Sequence, residues 1–225
     1  MLYILDSANV EEIRRCMEYF PIDGVTTNPT IISREKRNFL DLIKELRETI
    51  GPERMLHIQA TAYTAEGMVE EALRLKEIVG GEFYIKIPVS DEGIKATMML
   101  KKLDVKVTET AIFTQPQALL AAKAGADFVA PYVNRLDNIV SDGVSVVSDI
   151  VSMFSTHNIE SKVLAASFKN VEQVHSVILK GGHAVTITPE LCERMLYHPL
   201  TVSAISDFDQ DWRKVYGDKR ILDLI

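Results

Sequence analysis

Short apolar, β-branched runs alternate with longer amphipathic runs from one end of the chain to the other. The short runs predict strands at residues 2–5, 24–27, 55–59, 83–87, 106–112, 128–132, 162–166 and 184–187. Each is followed by a pattern with helical spacing: 10–20, 39–50, 65–79, 92–103, 115–124, 144–154, 171–179 and 189–197. In 65–79, Met68, Ala72, Leu75 and Val79 recur on one side while Glu70, Glu71 and Lys76 occupy the other. Ser7 and Asn9 stand before the first helix and Pro189 at the start of the eighth, as helix-start signals require. Gly80-Gly81, Gly125 and Gly181-Gly182 fall where helices should stop.

Eight β-α units in 225 residues predict a single (β/α)₈ barrel rather than an open doubly wound sheet. The first βα turn has no Gly-x-Gly-x-x-Gly phosphate loop, which argues against a dinucleotide fold. The barrel is expected over residues 1–200, with 201–225 a C-terminal helical extension. In 201–217, Ile205, Phe208, Trp212 and Val215 form one apolar stripe. A closed barrel leaves that stripe without a partner, so it is expected to cover a barrel end or meet a neighbouring subunit.

Composition narrows the function classes. Hydrophobic residues make up 47% and charged residues 25%, as in an ordinary globular domain. A net charge of −7 argues against nucleic-acid binding, and no basic run marks a membrane surface. No apolar run approaches the roughly 18 residues of a membrane span. The first ten residues include Asp6 and no basic leader, and Cys16 and Cys192 have neither metal nor redox spacing, so a reducing cytoplasmic setting is the expectation.

Barrel enzymes build their sites at the C-terminal ends of strands and in the loops that follow. There this sequence places Asp6, Thr26, Asn28, Gln59, Lys86, Thr110, Tyr132, Asn134, Arg135 and Ser167. Lys86 is the most anomalous, because it lies inside the apolar strand Phe83-Tyr84-Ile85-Lys86-Ile87-Pro88. Burying an ammonium is costly unless it is paired or loses its proton. One reading is a structural lysine paired with Asp6. The other is an amine whose pKa burial lowers, able to attack a ketone and form a Schiff base. That chemistry needs a proton shuttle, for which Asp6, Tyr132 and a water held by Gln59 and Thr110 are candidates. Tyr132 has the alternative of a buried ring with its hydroxyl bonded at the rim, and Thr26, Thr110 and Ser167 of hydroxyls that satisfy nearby backbone. Arg135 has the geometry to clamp a phosphate, or else to pair with Asp137 at the surface. The five histidines show no ligand spacing, so no metal is expected, and His57 reads as a core residue.

Four segments then resemble the transaldolase family: Gly24-Val25-Thr26-Thr27-Asn28-Pro29-Thr30-Ile31-Ile32, Ala65-Glu66-Gly67-Met68, Ile85-Lys86-Ile87-Pro88-Val89 and Val163-Leu164-Ala165-Ala166-Ser167-Phe168-Lys169. The short chain is similar to the branch that contains fructose-6-phosphate aldolase and the small microbial transaldolases. The resemblance implies Lys86 as the Schiff-base lysine, Asp6 as acid/base, and Thr26, Asn28 and Ser167 as substrate contacts. It also implies Arg135 as the phosphate ligand, with Asn134 beside it among the expected substrate contacts. Transaldolases generally carry Glu where this chain has Gln59, Phe where it has Tyr132, and Asn where it has Thr108. The expected activity is therefore a cofactor-free class I aldolase that cleaves fructose 6-phosphate to dihydroxyacetone and glyceraldehyde 3-phosphate. The alternatives are a transaldolase of the pentose phosphate type and a sugar-phosphate-binding barrel without covalent chemistry. The expected partners are sugar phosphates and dihydroxyacetone-type ketones, and the resemblance implies a homo-oligomer, a pentamer or decamer. Glu109 stands where the family usually has a small or apolar residue, and strand alternation points it toward the helix layer.

Overall fold

A computed structural model describes residues 1–225, in two compact units, Met1–Cys192 and Glu193–Ile225. In the first, eight parallel strands close into a barrel in sequence order: β1 (Leu2–Asp6), β2 (Gly24–Thr26), β3 (Met55–Gln59), β4 (Phe83–Pro88), β5 (Val107–Ile112), β6 (Phe128–Pro131), β7 (Lys162–Ala165) and β8 (Ala184–Ile187), with β8 pairing back onto β1. The helices between them are α1 (Val10–Tyr19), α2 (Pro29–Arg34), α3 (Phe39–Ile50), α4 (Ala65–Val79), α5 (Asp91–Lys101), α6 (Gln115–Lys123), α7 (Val133–Asp137), α8 (Gly143–Thr156) and α9 (Val171–Leu179). The series continues with α10 (Pro189–Leu196) and α11 (Pro199–Tyr216). The expected barrel is thus observed. The fifth helix runs from 91 to 101 rather than from 92 to 103, because Ser90 accepts the Gly93 N–H and so caps it one residue earlier.

Two short helices, α2 and α7, were not anticipated. For α2 the signal is present: the Asn28 side chain accepts the Ile31 N–H at 3.0 Å and Pro29 occupies the first turn. For α7 it is not, since Tyr132 at its N-cap makes no side-chain cap bond.

The barrel interior is layered. At its N-terminal end Ile4, Tyr84, Phe128, Leu164 and Ala184 form an apolar plug, with Leu2 and Met55 packed against it. Above the plug lies His57, fully buried, its ring stacked on Tyr84 at 4.5 Å and its Nδ1 2.9 Å from the Thr108 hydroxyl. Burial, with the Lys86 charge adding to it, pushes the pKa of His57 well below the ordinary value, so it is a neutral core histidine as expected. At the N-terminal end of the barrel, Gly24 lets β2 approach β3 closely, because a Cβ there would lie 2.4 Å from the Met55 carbonyl oxygen.

In the second unit, α11 is capped by His198, whose Nδ1 accepts the Leu200 N–H. Its C-terminal turn is tied by Trp212 Nε1, which donates to the Lys219 carbonyl at 2.7 Å. None of its residues is buried, and Ile205, Phe208 and Val215 of the predicted stripe are exposed. No helix of the chain is long and apolar enough to cross a membrane.

Candidate active site

Strand register sets several of the predicted residues side by side toward the C-terminal ends of β1 to β5. Asp6 lies opposite Thr26, Gln59 opposite Lys86, Lys86 opposite Thr108, and Thr110 opposite Pro88. Lys86 is buried, and its Nζ donates to the Thr27 carbonyl at 2.8 Å. That is a neutral acceptor, so the amine has no direct ionic partner. Burial lowers its pKa from the ordinary lysine value, and the charge of Asp6 opposes part of the shift. The reading of Lys86 as one half of a structural ion pair with Asp6 therefore fails. Asp6 instead accepts the Thr26 hydroxyl at 2.7 Å, and Thr26 Oγ1 also lies 2.6 Å from Thr186 Oγ1 on β8. The result is a fixed carboxylate that reaches Lys86 only through its field.

Across the barrel a second polar group forms. Thr110 Oγ1 and the Tyr132 hydroxyl are 3.1 Å apart, and Phe113 meets the Tyr132 ring edge-on at 5.6 Å. Arg135 does not pair with Asp137. Its guanidinium lies 4.9 Å from the centroid of the Tyr132 ring, where the π-face attracts a cation. Asp137 instead accepts the Gly143 N–H at 2.9 Å and a bond from Gln173 at 2.6 Å. Arg135 is therefore exposed and has no carboxylate partner, a fit for an incoming anion.

The backbone beside these residues is strained, once within β5 and once in the loop after β7. Ala111, directly after Thr110, has φ 58°, and Ser167 has φ 63°. Side-chain-bearing residues adopt this region at a cost of about 1–2 kcal/mol each. At Ala111 the β5–β6 register also shifts. The turn at Ser167 is fastened to α7, whose Asn134 N–H donates to the Ser167 carbonyl at 2.8 Å. Asn28 and Gln59 stand apart from the Thr110–Tyr132 pair, at the edge of a cavity of about 540 Å³ whose walls include Ile32, Phe39 and Leu75. The water-holding pair of Gln59 and Thr110 is thus present as two groups on different strands, with only Thr110 bonded to Tyr132.

Two residues escaped the sequence reading. Thr186 meets the same criterion as Thr26, a polar residue near the end of an apolar strand, and was legible. Gln173 lies in the first turn of α9, three residues after the N-cap Asn170, a spacing that marks a helix start but not a contact with α7. As for Glu109, it faces the helix layer as alternation predicts, fully buried, and accepts the Thr97 hydroxyl of α5 at 2.6 Å.

Comparison with known proteins bears on the family and the fold. Residues 3–219 match the family model described as "Transaldolase/Fructose-6-phosphate aldolase". A protein of Streptococcus pneumoniae described as "Probable fructose-6-phosphate aldolase" is 40% identical over 222 residues, which cover 98% of this chain and all of that one. Among solved structures, inosine 5′-monophosphate dehydrogenase from Legionella pneumophila superposes with a TM-score of 0.60 at 12% identity, over 85% of this chain and 59% of that one. A mandelate racemase/muconate lactonizing protein from Paracoccus denitrificans gives 0.59 at 15% identity, over 87% of this chain and 56% of the other. At such identities these two structures share the fold alone.

Proposed function

Because the chain belongs to the transaldolase/fructose-6-phosphate aldolase family, we propose that it is a class I aldolase that cleaves fructose 6-phosphate through a Schiff base on Lys86. The observation that carries this reading is the buried Lys86 amine, whose pKa is lowered and whose hydrogen-bond partner is a neutral carbonyl. In that state the amine attacks the C2 carbonyl of the sugar, and loss of water gives an iminium. The iminium withdraws electrons from C3, so the C3–C4 bond breaks as the C4 hydroxyl gives up its proton. Glyceraldehyde 3-phosphate leaves and an enamine remains on Lys86. Protonation at C3 and hydrolysis then release dihydroxyacetone and restore the amine. Tyr132, paired with Thr110, is the proposed proton carrier, Asp6 the carboxylate for dehydration, and Arg135 the phosphate clamp, with Thr26, Asn28, Asn134 and Ser167 as the groups that hold the sugar. The iminium is the electron sink, so a chelator should leave the rate unchanged.

The partition between release and transfer tests the assignment. A Tyr132 hydroxyl can donate the proton that frees dihydroxyacetone, whereas a phenylalanine cannot. A carboxylate at Gln59 carries charge into the same region and changes which proton transfers are easy. Native protein should release free dihydroxyacetone from fructose 6-phosphate with no acceptor present. The double variant Gln59→Glu/Tyr132→Phe should shift the ratio of release to transfer onto erythrose 4-phosphate by roughly a hundredfold or more toward transfer, the scale on which removing a general acid acts. If the native protein forms sedoheptulose 7-phosphate rapidly but frees little dihydroxyacetone, it is a transaldolase.

We further propose a cytoplasmic homo-oligomer in which residues 201–225 form a subunit contact. The exposed stripe of Ile205, Phe208 and Val215 supports this reading. Deleting the chain after Val202 should yield smaller particles by light scattering. An unchanged number of subunits would mean that the helix takes no part in assembly.

A further inference from the structure

Gln173 makes three hydrogen bonds with its side-chain amide and is nine-tenths buried on α9. Its Oε1 accepts the Lys169 N–H at 2.8 Å. Its Nε2 donates to the Asp137 carboxylate at 2.6 Å and to Asn134 Oδ1 at 3.2 Å. These partners leave no freedom in how the amide is oriented. A backbone N–H can only donate, so it must face Oε1, and a carboxylate can only accept, so it must face Nε2. The remaining Nε2 hydrogen then fixes the next amide in turn. Asn134 meets a donor and must present its oxygen to Gln173, which directs its own NH₂ away.

The three partners belong to the two segments that carry the ligand-binding groups. Lys169 lies two residues beyond the strained Ser167, while Asn134 and Asp137 flank Arg135 on α7. The backbone repeats the tie, since the Asn134 N–H donates to the Ser167 carbonyl at 2.8 Å. Asn28 follows the same rule on the other side of the barrel mouth: its Oδ1 is taken by the Ile31 N–H, which leaves its NH₂ for a ligand.

We propose that Gln173 is a positioning residue of the active site, which orients Asn134 as a hydrogen-bond donor to the sugar oxygens and holds α7 in register with the Ser167 turn. The inference rests on the sugar-phosphate aldolase reading above. It predicts that residues 134 and 173 act as one unit on substrate, so their effects should not multiply.

The test is a double-mutant cycle on fructose 6-phosphate cleavage, with borohydride trapping of dihydroxyacetone on Lys86 and thermal unfolding measured on the same four proteins. Asn134→Ala and Gln173→Met should each lower kcat/KM roughly tenfold, about the value of one substrate hydrogen bond. Asn134→Ala/Gln173→Met should then lie within about twofold of Asn134→Ala alone. A purely structural Gln173 gives multiplying losses, roughly a hundredfold in the double variant, and that result overturns the proposal, as does native kcat/KM in Gln173→Met. Should Gln173→Met not fold, Gln173→Glu is of native size and still accepts the Lys169 N–H. Its carboxyl must share a proton with the Asp137 carboxylate, which leaves no donor for Asn134. It should therefore turn that amide around and show the same loss and the same non-additivity with Asn134→Ala, and native kcat/KM there likewise overturns the proposal. All variants that fold should still trap dihydroxyacetone on Lys86. An adduct in the native protein together with additive losses rejects the role of Gln173 alone. No adduct in the native protein rejects the aldolase reading, and this proposal with it.

Discussion

Lys86→Met should eliminate fructose 6-phosphate cleavage, by roughly 10⁴-fold or more, the scale on which removing a covalent nucleophile acts. The barrel should survive the change. Methionine is close to lysine in length, and it removes an amine whose burial is itself unfavourable, as the direction of its pKa shift records. Against that, the Thr27 carbonyl loses the 2.8 Å bond it accepts from Nζ, at a cost of about 1–3 kcal/mol. Stability should therefore change little while activity disappears. In the native protein, borohydride reduction with dihydroxyacetone should place the added mass on the peptide that contains Lys86, and in Lys86→Met no peptide should gain it. Burial makes the amine lose its proton below the usual lysine range, so adduct formation should rise with pH and level off before pH 10.5. An adduct on another lysine, or turnover in Lys86→Met, would remove the Schiff-base assignment.

The same residue shows why much of the site was legible in the sequence. A strand of a closed barrel is buried on both faces, so it tolerates few polar side chains, and those it keeps are exposed by contrast with their neighbours. Lys86, Thr26 and Thr110 stand out in this way, and parity along the strand decides which side each faces. Parity also placed Glu109 outside the barrel, against α5, between two threonines that face inward. The helices were legible for a similar reason, since their apolar stripes must meet the barrel. What parity does not reach are contacts made by loops and short helices. Arg135 lies over the Tyr132 ring because α7 begins directly after Tyr132, and no periodic pattern marks a five-residue helix. Gln173 binds Asn134 and Asp137 from 39 and 36 residues away, through packing that only the closed fold creates.

Glu109 has the largest expected effect on stability. Burial raises its pKa to about 7, although the Thr97 hydroxyl donates to it and works in the opposite direction. Its neighbours in register on the flanking strands are Ile87 and Val129, neither of which can neutralise it, and no charged group contributes to the shift. Its second oxygen, Oε2, is buried without a partner. The folded chain thus holds this proton more tightly than the unfolded chain, where the carboxyl has its ordinary pKa. The stabilising contribution is fully present below about pH 4.5, is lost as pH rises toward 7, and stays lost above it, a change of about 3 kcal/mol. Glu109→Gln removes the titration but keeps an oxygen for Thr97, while its unpartnered NH₂ costs about 1–3 kcal/mol at every pH. The stability of native protein minus that of Glu109→Gln should therefore fall by about 3 kcal/mol between pH 4.5 and 7 and then level off. Urea unfolding of both proteins at pH 5, 6, 7 and 8 measures the last part of that fall and the plateau. Parallel curves across the series would show that Glu109 keeps its ordinary acidity in the folded barrel. A difference that instead widens in favour of the native protein as pH rises would mean that the carboxylate is stabilised there. In that case a cation or a donor other than Thr97 must reach Oε2 from the space between β5 and α5.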